Sequence, residues 1–545
     1  VELVGLIEAL SRPEAWRERC VDVAARRLAI EVRQTHISVV FLVGDEAWKV
    51  KKPVDLGFLD FSTLERRRRF CAEEVRLNRR TAPEVYLGVD SIVRDRDGSL
   101  VVTGSPGGRE IVDVAVRMRR LPDDGMLDAR LDRLAEDPRS EDLGSMRRLL
   151  GDFAPRLAAF HAACATGSGI DEHGGPEGMR RQFEANFERL ASFAGDGSDA
   201  AISSRRLEWL RRGGTRRLEA DRGILEARGR ASRVRDGHGD LHAGNLCVVD
   251  GGILAFDAIE FDHRLRCRDV ACEVAHLAMD LDRRGLAALA EAWSDDYARA
   301  TLDREVVTVA RLFRFHYAIV RTLVEAIRSR DGAVGHDGRS SSLSLARRYA
   351  DLATGYLLPP SLVLTCGLQG AGKSTFARAM SIPLRAHQLR SDVLRKRLAG
   401  IALEDRRRVD REGRSLYDER WTDATYARML RATQAALGRG RHVVVDAAFS
   451  KEPQRRPFID LATRLGVPWV LVEATCDRTE ARRRLEARAT DRHEPSDADW
   501  SVFEQAERTF ERPTEVPVGR RLEWRSETPA DVGVREAIDR LTEKF

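Results

Sequence analysis

The chain has 545 residues, 43% hydrophobic and 33% charged, which suits two to four domains with their own cores. That composition excludes a disordered chain, a collagen and a small disulfide scaffold. A net charge of +5 is nearly neutral at this length and argues against a nucleic-acid coat or a polybasic membrane protein.

Residues 1–30 read as helices. Ser38–Val43, a turn at Gly44-Asp45 and Glu46–Lys51 read as a β-hairpin. Thr63–Arg80 reads as a charged helix, with strand-like stretches near 99–103 and 111–118. Residues 141–230 are mostly helical, 234–262 mix strand and loop, and helices return from 268 to 330. Residues 331–342 read as a Gly/Ser-rich loop, followed by one helix ending near Tyr356. Pro359-Pro360 marks a break, and the main boundary is expected near 358. Beyond it, strands at Ser361–Cys366, near 442–446 and near 468–473 alternate with helices, which argues for a parallel α/β sheet.

Rare residues point to candidates. Lysine occurs only at 49, 51, 52, 373, 396, 451 and 544, and asparagine only at 78, 186 and 245. Where surface charge is arginine, a retained lysine is a candidate for a task that needs a compact ammonium. The eight cysteines form no C-x-x-C pair, which fits a reducing cytoplasm. The sequence shows neither a signal peptide nor a membrane-spanning run.

Gly367-Leu368-Gln369-Gly370-Ala371-Gly372-Lys373-Ser374, with Thr375 behind it, matches G-x-x-x-x-G-K-[ST] between a predicted strand and helix. Such a loop turns backbone N–H groups onto phosphate oxygens at a helix N-terminus. Lys373 would reach the β/γ-phosphates and Ser374 would hold Mg²⁺. The strand His442–Asp446 ends in an acid placed near that metal, Asp446. Asp392 and Arg395 share one helical face, a base beside a phosphate-binding fork. This resembles the acceptor-side Asp-x-x-Arg of polynucleotide and small-molecule P-loop kinases, with Asp392 as general base. In the kinases it resembles, a lid helix supplies arginines, and Arg488 and Arg492 are the candidates.

His238-Gly239-Asp240-Leu241-His242-Ala243-Gly244-Asn245 places an Asp five residues before an Asn, the spacing of a kinase catalytic loop. Such an Asp accepts a hydroxyl proton and such an Asn holds a metal. Twelve residues on, Asp257 in Phe256-Asp257-Ala258-Ile259-Glu260 ends an apolar strand. The nucleotide-binding lysine belongs upstream on a strand, paired with a helical Glu. Lys49 is the first choice, Lys51 the second, and Glu74 the partner. No G-x-G-x-x-G precedes that strand. Arg268-Asp269 would support the catalytic loop.

HGDLHAGN followed by FDAIEF resembles the aminoglycoside phosphotransferase family. The resemblance implies a kinase-like fold in which Asp240 is the base and Asn245 and Asp257 hold Mg²⁺. The whole chain resembles a bacterial fusion of such a domain with a P-loop kinase of the AAA, zeta-toxin and gluconate-kinase type. The implied fold is an α+β bilobal protein-kinase-like domain at 1–357, with a small lobe at about 31–118 and a large lobe at about 119–357. An α/β P-loop domain follows at 358–545.

The implied activity is transfer of the ATP γ-phosphate to a hydroxyl of a small molecule, with Mg²⁺ at two sites. Alternatives are one catalytic half with a nucleotide-sensing partner, an ATPase stress module, and a polynucleotide 5′-kinase.

Overall fold

The structure is a computed structural model and describes residues 2–20, 29–35, 37–57, 59–137, 142–332, 334–403, 405, 409–410, 412–488 and 500–543. The chain forms two compact units that are not contiguous in sequence. The first comprises Val1–Ala185, Thr215–Tyr317 and Asp331–Gly335; the second comprises Asn186–Gly214, Ala318–Arg330 and His336–Phe545.

The first unit carries a six-stranded antiparallel sheet in the order β1-β2-β3-β6-β4-β5. Its strands are β1 (Ile30–Gln34), β2 (Ser38–Val43), β3 (Glu46–Lys51), β4 (Tyr86–Arg94), β5 (Leu100–Thr103) and β6 (Glu110–Arg119). The hairpin read from the sequence is β2–β3. Strand β4 escapes the pattern because two register shifts, at Tyr86/Gly88 and Ile92/Val93, break its two-residue period. One sheet face packs Trp48, Val50, Phe41 and Val102 against Leu6, Leu10 and Trp16 of the N-terminal helical segment. The other face packs Val114 and Val116 against Cys71 and Val75 of the helix Leu64–Asn78. Thr63 caps that helix by accepting from the Arg66 amide at 3.3 Å.

Among the described residues, the rest of the first unit is mainly helix and loop, with two short antiparallel strand pairs. One pairs β7 (Val234–Asp236) with β10 (Cys267–Asp269); the other pairs β8 (Leu246–Val249) with β9 (Gly252–Ala255). The β8–β9 turn is Asp250-Gly251, with φ of 49° and 78°, the positive values a tight hairpin turn requires.

The second unit holds a five-stranded parallel sheet in the order β12-β13-β11-β14-β15. The strands are β11 (Leu362–Cys366), β12 (His387–Arg390), β13 (Val443–Asp446), β14 (Trp469–Thr475) and β15 (Arg521–Arg525). The central strands are apolar along nearly their whole length because a parallel sheet is covered on both faces. Strand order reverses at β11, which opens a crevice at its carboxyl end.

Two findings differ from the sequence reading. Residues 336–342 are not loop: the helix His336–Leu357 begins at His336, carried by the buried face of Ala346, Tyr349, Ala350, Ala353 and Tyr356. The compact units also do not divide at 358. Helix His336–Leu357 packs in the second unit so closely that a Cβ on Gly355 would collide with the Pro383 carbonyl. Arg206, likewise before the expected boundary, pairs with Asp351 and Asp539 and donates to the Arg535 carbonyl at 2.7 Å.

Arg206 and Asp351 side chains are 3% and 4% exposed. Arg206→Ala would leave Asp351 buried without its main partner. It should cost about 3 kcal/mol, read as a lower urea midpoint for the second unit's transition.

Candidate functional site

Strand alternation decides which way the rare lysines face. Trp48 and Val50 join the core beneath one sheet face, so Lys49 and Lys51 share the other, beneath the helix Leu64–Asn78. Glu74 descends from that helix, fully buried, and divides its carboxylate between them. Lys49 Nζ lies 3.0 Å from Oε1 and Lys51 Nζ 2.6 Å from Oε2. Lys49 also donates to Asp257 Oδ1 at 2.5 Å, and Lys51 to Glu260.

Burial works to lower the Lys49 pKa, but Asp257 and Glu74 outweigh it and hold the group well above its ordinary value. Burial would raise Glu74, yet two ammonium neighbours keep it at about 2. Glu260 goes the other way: burial raises it, Lys51 opposes, and the charge of Glu74 adds to the rise. The difference follows from two cationic contacts at Glu74 against one at Glu260.

The β8–β9 hairpin explains the spacing between Asn245 and Asp257. Its register sets Leu246 opposite Ala255, so the residues flanking the hairpin emerge side by side. Asn245 Nδ2 donates to Asp240 at Oδ2 (3.2 Å) and at the backbone carbonyl (3.0 Å), which leaves its Oδ1 as the oxygen it could offer a cation. Asp257 has φ of 62°, a left-handed conformation at a polar position. The Asp240 and Asp257 carboxylates are 37% and 39% exposed, open to a ligand from solvent. His242 Nε2 is 3.5 Å from Asp240 Oδ2, and His276 Nδ1 is 3.8 Å from Oδ1.

Several supporting residues have no local sequence signal. Glu273 accepts from the His238 and Gly239 amides at 2.5 and 2.8 Å, and its other oxygen lies 2.8 Å from His161 Nε2. Arg268-Asp269 does not contact the loop in this way. Asp269 receives Arg228 at 2.7 Å and caps the next helix, and Arg268 donates to the Leu265 carbonyl. Asn78 and Tyr86 reach the segment around Asp257 and accept from its backbone amides.

In the second unit, Gly367, Gly370 and Gly372 have φ of 132°, 78° and 89°. A Cβ on Gly367 would also strike the Ala474 carbonyl, so glycine is required there twice over. Lys373 opens its helix and turns Nζ back onto the Gly367 and Leu368 carbonyls at 2.9 and 2.6 Å. Ser374 is hydrogen-bonded to Asp446, whose pKa burial raises against the pull of Arg390 and that hydroxyl. Arg395 reaches Asp392 Oδ1 at 3.1 Å and lies over the Tyr417 ring at 4.8 Å. Leu368 packs beside Leu485 and Phe503, Ala371 is buried in the loop beside Gln369, and Thr375 lies in the first turn of the helix that follows.

Arg484, one turn before Arg488, donates to the Gly370 carbonyl at 3.3 Å and to Ser526 Oγ at 2.6 Å. Arg488 ends the helix Arg478–Arg488, and Arg492 lies outside the described residues.

The donor chemistry at both places is hard oxygen: Asn245 with Asp257, and Ser374 with Asp446. Two protein oxygens fit Mg²⁺, which keeps most of its shell for water and phosphate. Among the described residues no cluster of three or more His, Cys, Asp or Glu could hold a metal without such help. Among the described residues, no helix is long and apolar enough to cross a membrane.

Residues 362–513 match the AAA domain family, and with the parallel sheet and phosphate loop they form a P-loop α/β domain. "Uncharacterized protein Rv2004c" of Mycobacterium tuberculosis H37Rv is 31% identical over 460 residues, covering 83% of this chain and 84% of the relative. Among solved structures, Kti12 of Chaetomium thermophilum with ADP-AlF3 is 20% identical, covering 33% of this chain and 96% of that one, at a TM-score of 0.27. The M. tuberculosis APS kinase CysC with AMPPNP and APS is 20% identical, covering 34% and 98%, at 0.26.

Glu273 generates a pH prediction. Burial opposes its ionisation, but the hydrogen bond from His161 and nearby charges hold it at about 2, below its ordinary 4.5. Its stabilisation is therefore complete above the unfolded pKa and is lost as pH falls from there towards 2. Glu273→Gln should lower the first unit's stability by about 3 kcal/mol at pH 7, and by about half of that at pH 3. Urea titrations of both proteins at the two pH values check it.

Proposed function

The chain belongs to the family of the mycobacterial protein Rv2004c, and within it we propose an ATP-dependent phosphotransferase with two nucleotide sites. Each site passes the γ-phosphate to a hydroxyl of a small molecule such as a sugar or amino sugar. The functional halves are residues 1–357, of aminoglycoside-phosphotransferase-like bilobal type, and residues 358–545, of P-loop kinase type. One observation carries the reading. Each unit by itself brings together a lysine, hard oxygen donors and a further carboxylate beside a polar partner.

In the first half, Lys49 steadied by Glu74 takes the nucleotide phosphates. Asp240 accepts the proton of the acceptor hydroxyl as its oxygen bonds to the γ-phosphorus, and the β,γ-bridging oxygen leaves with ADP. Asn245 and Asp257 would hold Mg²⁺, which when bound neutralises charge across the phosphate oxygens. In the second half, residues 367–375 receive the phosphates through backbone amides and Lys373, and Ser374 and Asp446 would hold Mg²⁺. Asp392 takes the acceptor proton, and Arg395 orients it. Arg488 and Arg492 are proposed as transition-state arginines from their sequence spacing alone. Such catalysis is mostly positioning and charge stabilisation, so acceptor identity lies in pocket shape.

The test is an ATP-consumption screen against a metabolite and aminoglycoside library, with wild type, Asp240→Asn and Lys373→Ala side by side. Each variant should lose at least about 100-fold in turnover of its own half's acceptor. If both variants turn over a found substrate at the wild-type rate, the proposal fails. If one abolishes turnover and the other changes only nucleotide affinity, one half is a sensor.

A further inference from the structure

Four consecutive backbone amides run through the segment that carries Asp257, and each has a partner. Phe256 N–H donates to the Asn245 carbonyl at 3.0 Å and Ile259 N–H to the His238 carbonyl at 3.1 Å. Between them, Asp257 N–H donates to Tyr86 Oη at 3.0 Å and Ala258 N–H to Asn78 Oδ1 at 2.8 Å. The outer two bonds belong to the motif loop itself. The inner two come from side chains distant in sequence, at the end of the helix Leu64–Asn78 and the start of β4.

Both side chains are fixed. Asn78 is fully buried and Tyr86 is 1% exposed. Asn78 Nδ2 donates to the Glu74 carbonyl at 2.9 Å, one helical turn back. The residue that steadies Lys49 and the residue that bonds the 258 amide thus move as one body. Asp257 sits between them in its left-handed conformation. Leaving a buried amide without an acceptor is costly, on the scale of the strain of a left-handed non-glycine residue. Without Asn78 and Tyr86, the segment would gain by turning its amides elsewhere and taking the carboxylate with them.

We infer that Asn78 and Tyr86 are positioning residues that fix the Asp257 carboxylate for a divalent cation. This rests on reading Asp257 as a cation holder. Both residues are buried, and their contribution is to the aim of one carboxylate. Outer-shell partners of this kind change metal affinity by about 10–100-fold.

The experiment titrates Mn²⁺ by electron paramagnetic resonance in the full chain with a non-hydrolysable ATP analogue. Every sample carries Asp446→Asn to remove the second unit's acidic donor. Tyr86→Phe, Asn78→Ala and Asp257→Asn are compared, and metal-free binding of a fluorescent ATP is followed in EDTA. Tyr86→Phe keeps the packed ring, so a folded variant is available if Asn78→Ala unfolds. Tyr86→Phe and Asn78→Ala should each weaken Mn²⁺ about tenfold and leave metal-free binding within about twofold. If Asp257→Asn loses Mn²⁺ while Tyr86→Phe keeps it, the inference is overturned and the reading of Asp257 stands. If metal-free binding falls in parallel, the residues are merely structural and the inference is overturned. If Asp257→Asn itself leaves Mn²⁺ unchanged, the reading of Asp257 falls and takes the inference with it.

Discussion

Two ammonium groups share one buried carboxylate, and much of the first unit is arranged so that this is possible. Charges removed from water are tolerable only when paired and hydrogen-bonded. Lys49 and Lys51 each take one oxygen of Glu74, and Asp257 and Glu260 supply the remaining negative charge. The arrangement needs the pleat of β3 to turn both lysines one way, and the helix Leu64–Asn78 to lie over that face. It also needs the chain beyond β9 to return beneath both. Sheet, helix and loop are thereby committed to one geometry by a handful of ions.

The two units solve the problem of presenting positive charge by different means. The first does it with side chains, whose aim depends on partners: Glu74 for the lysines, and Glu273 for the amides of His238 and Gly239. The second does it with backbone. Three glycines with positive φ turn the loop, Lys373 folds back onto its carbonyls, and the Gly367 amide is tied to the Ala448 carbonyl at 3.1 Å. A side-chain site can be retuned one residue at a time. A backbone site is held by the room its glycines need, as at Gly367 against Ala474.

The sequence reveals what is local or scarce and hides what is long-range. Lys49 and Lys51 stand out because lysine is rare and a strand alternates, and the phosphate loop because its spacing is tied to backbone geometry. Glu273 has no such mark: its partners lie 34, 35 and 112 residues away in the chain, and its own helix carries two further buried acids, Asp280 and Asp282. Asn78 was one of three asparagines, yet scarcity cannot tell which amide it serves. Lys396 shows the limit of the same reasoning. It is buried and binds the Leu403 and Asp405 carbonyls at 3.1 and 2.7 Å, which pins a loop beside the Asp392 helix. The break at Pro359-Pro360 is real as a change of pattern. It does not bound a compact unit, because Arg206 reaches across it to Asp539, 333 residues away.

That last feature bears on how such a chain can be inherited. A recombination event at the proline break would carry off the phosphate loop and its sheet. It would leave behind the helix that covers Pro383 and the arginine that answers Asp539. The transplanted piece would arrive with an apolar flank and an unanswered charge. The chain therefore has no clean structural seam at its most obvious punctuation mark.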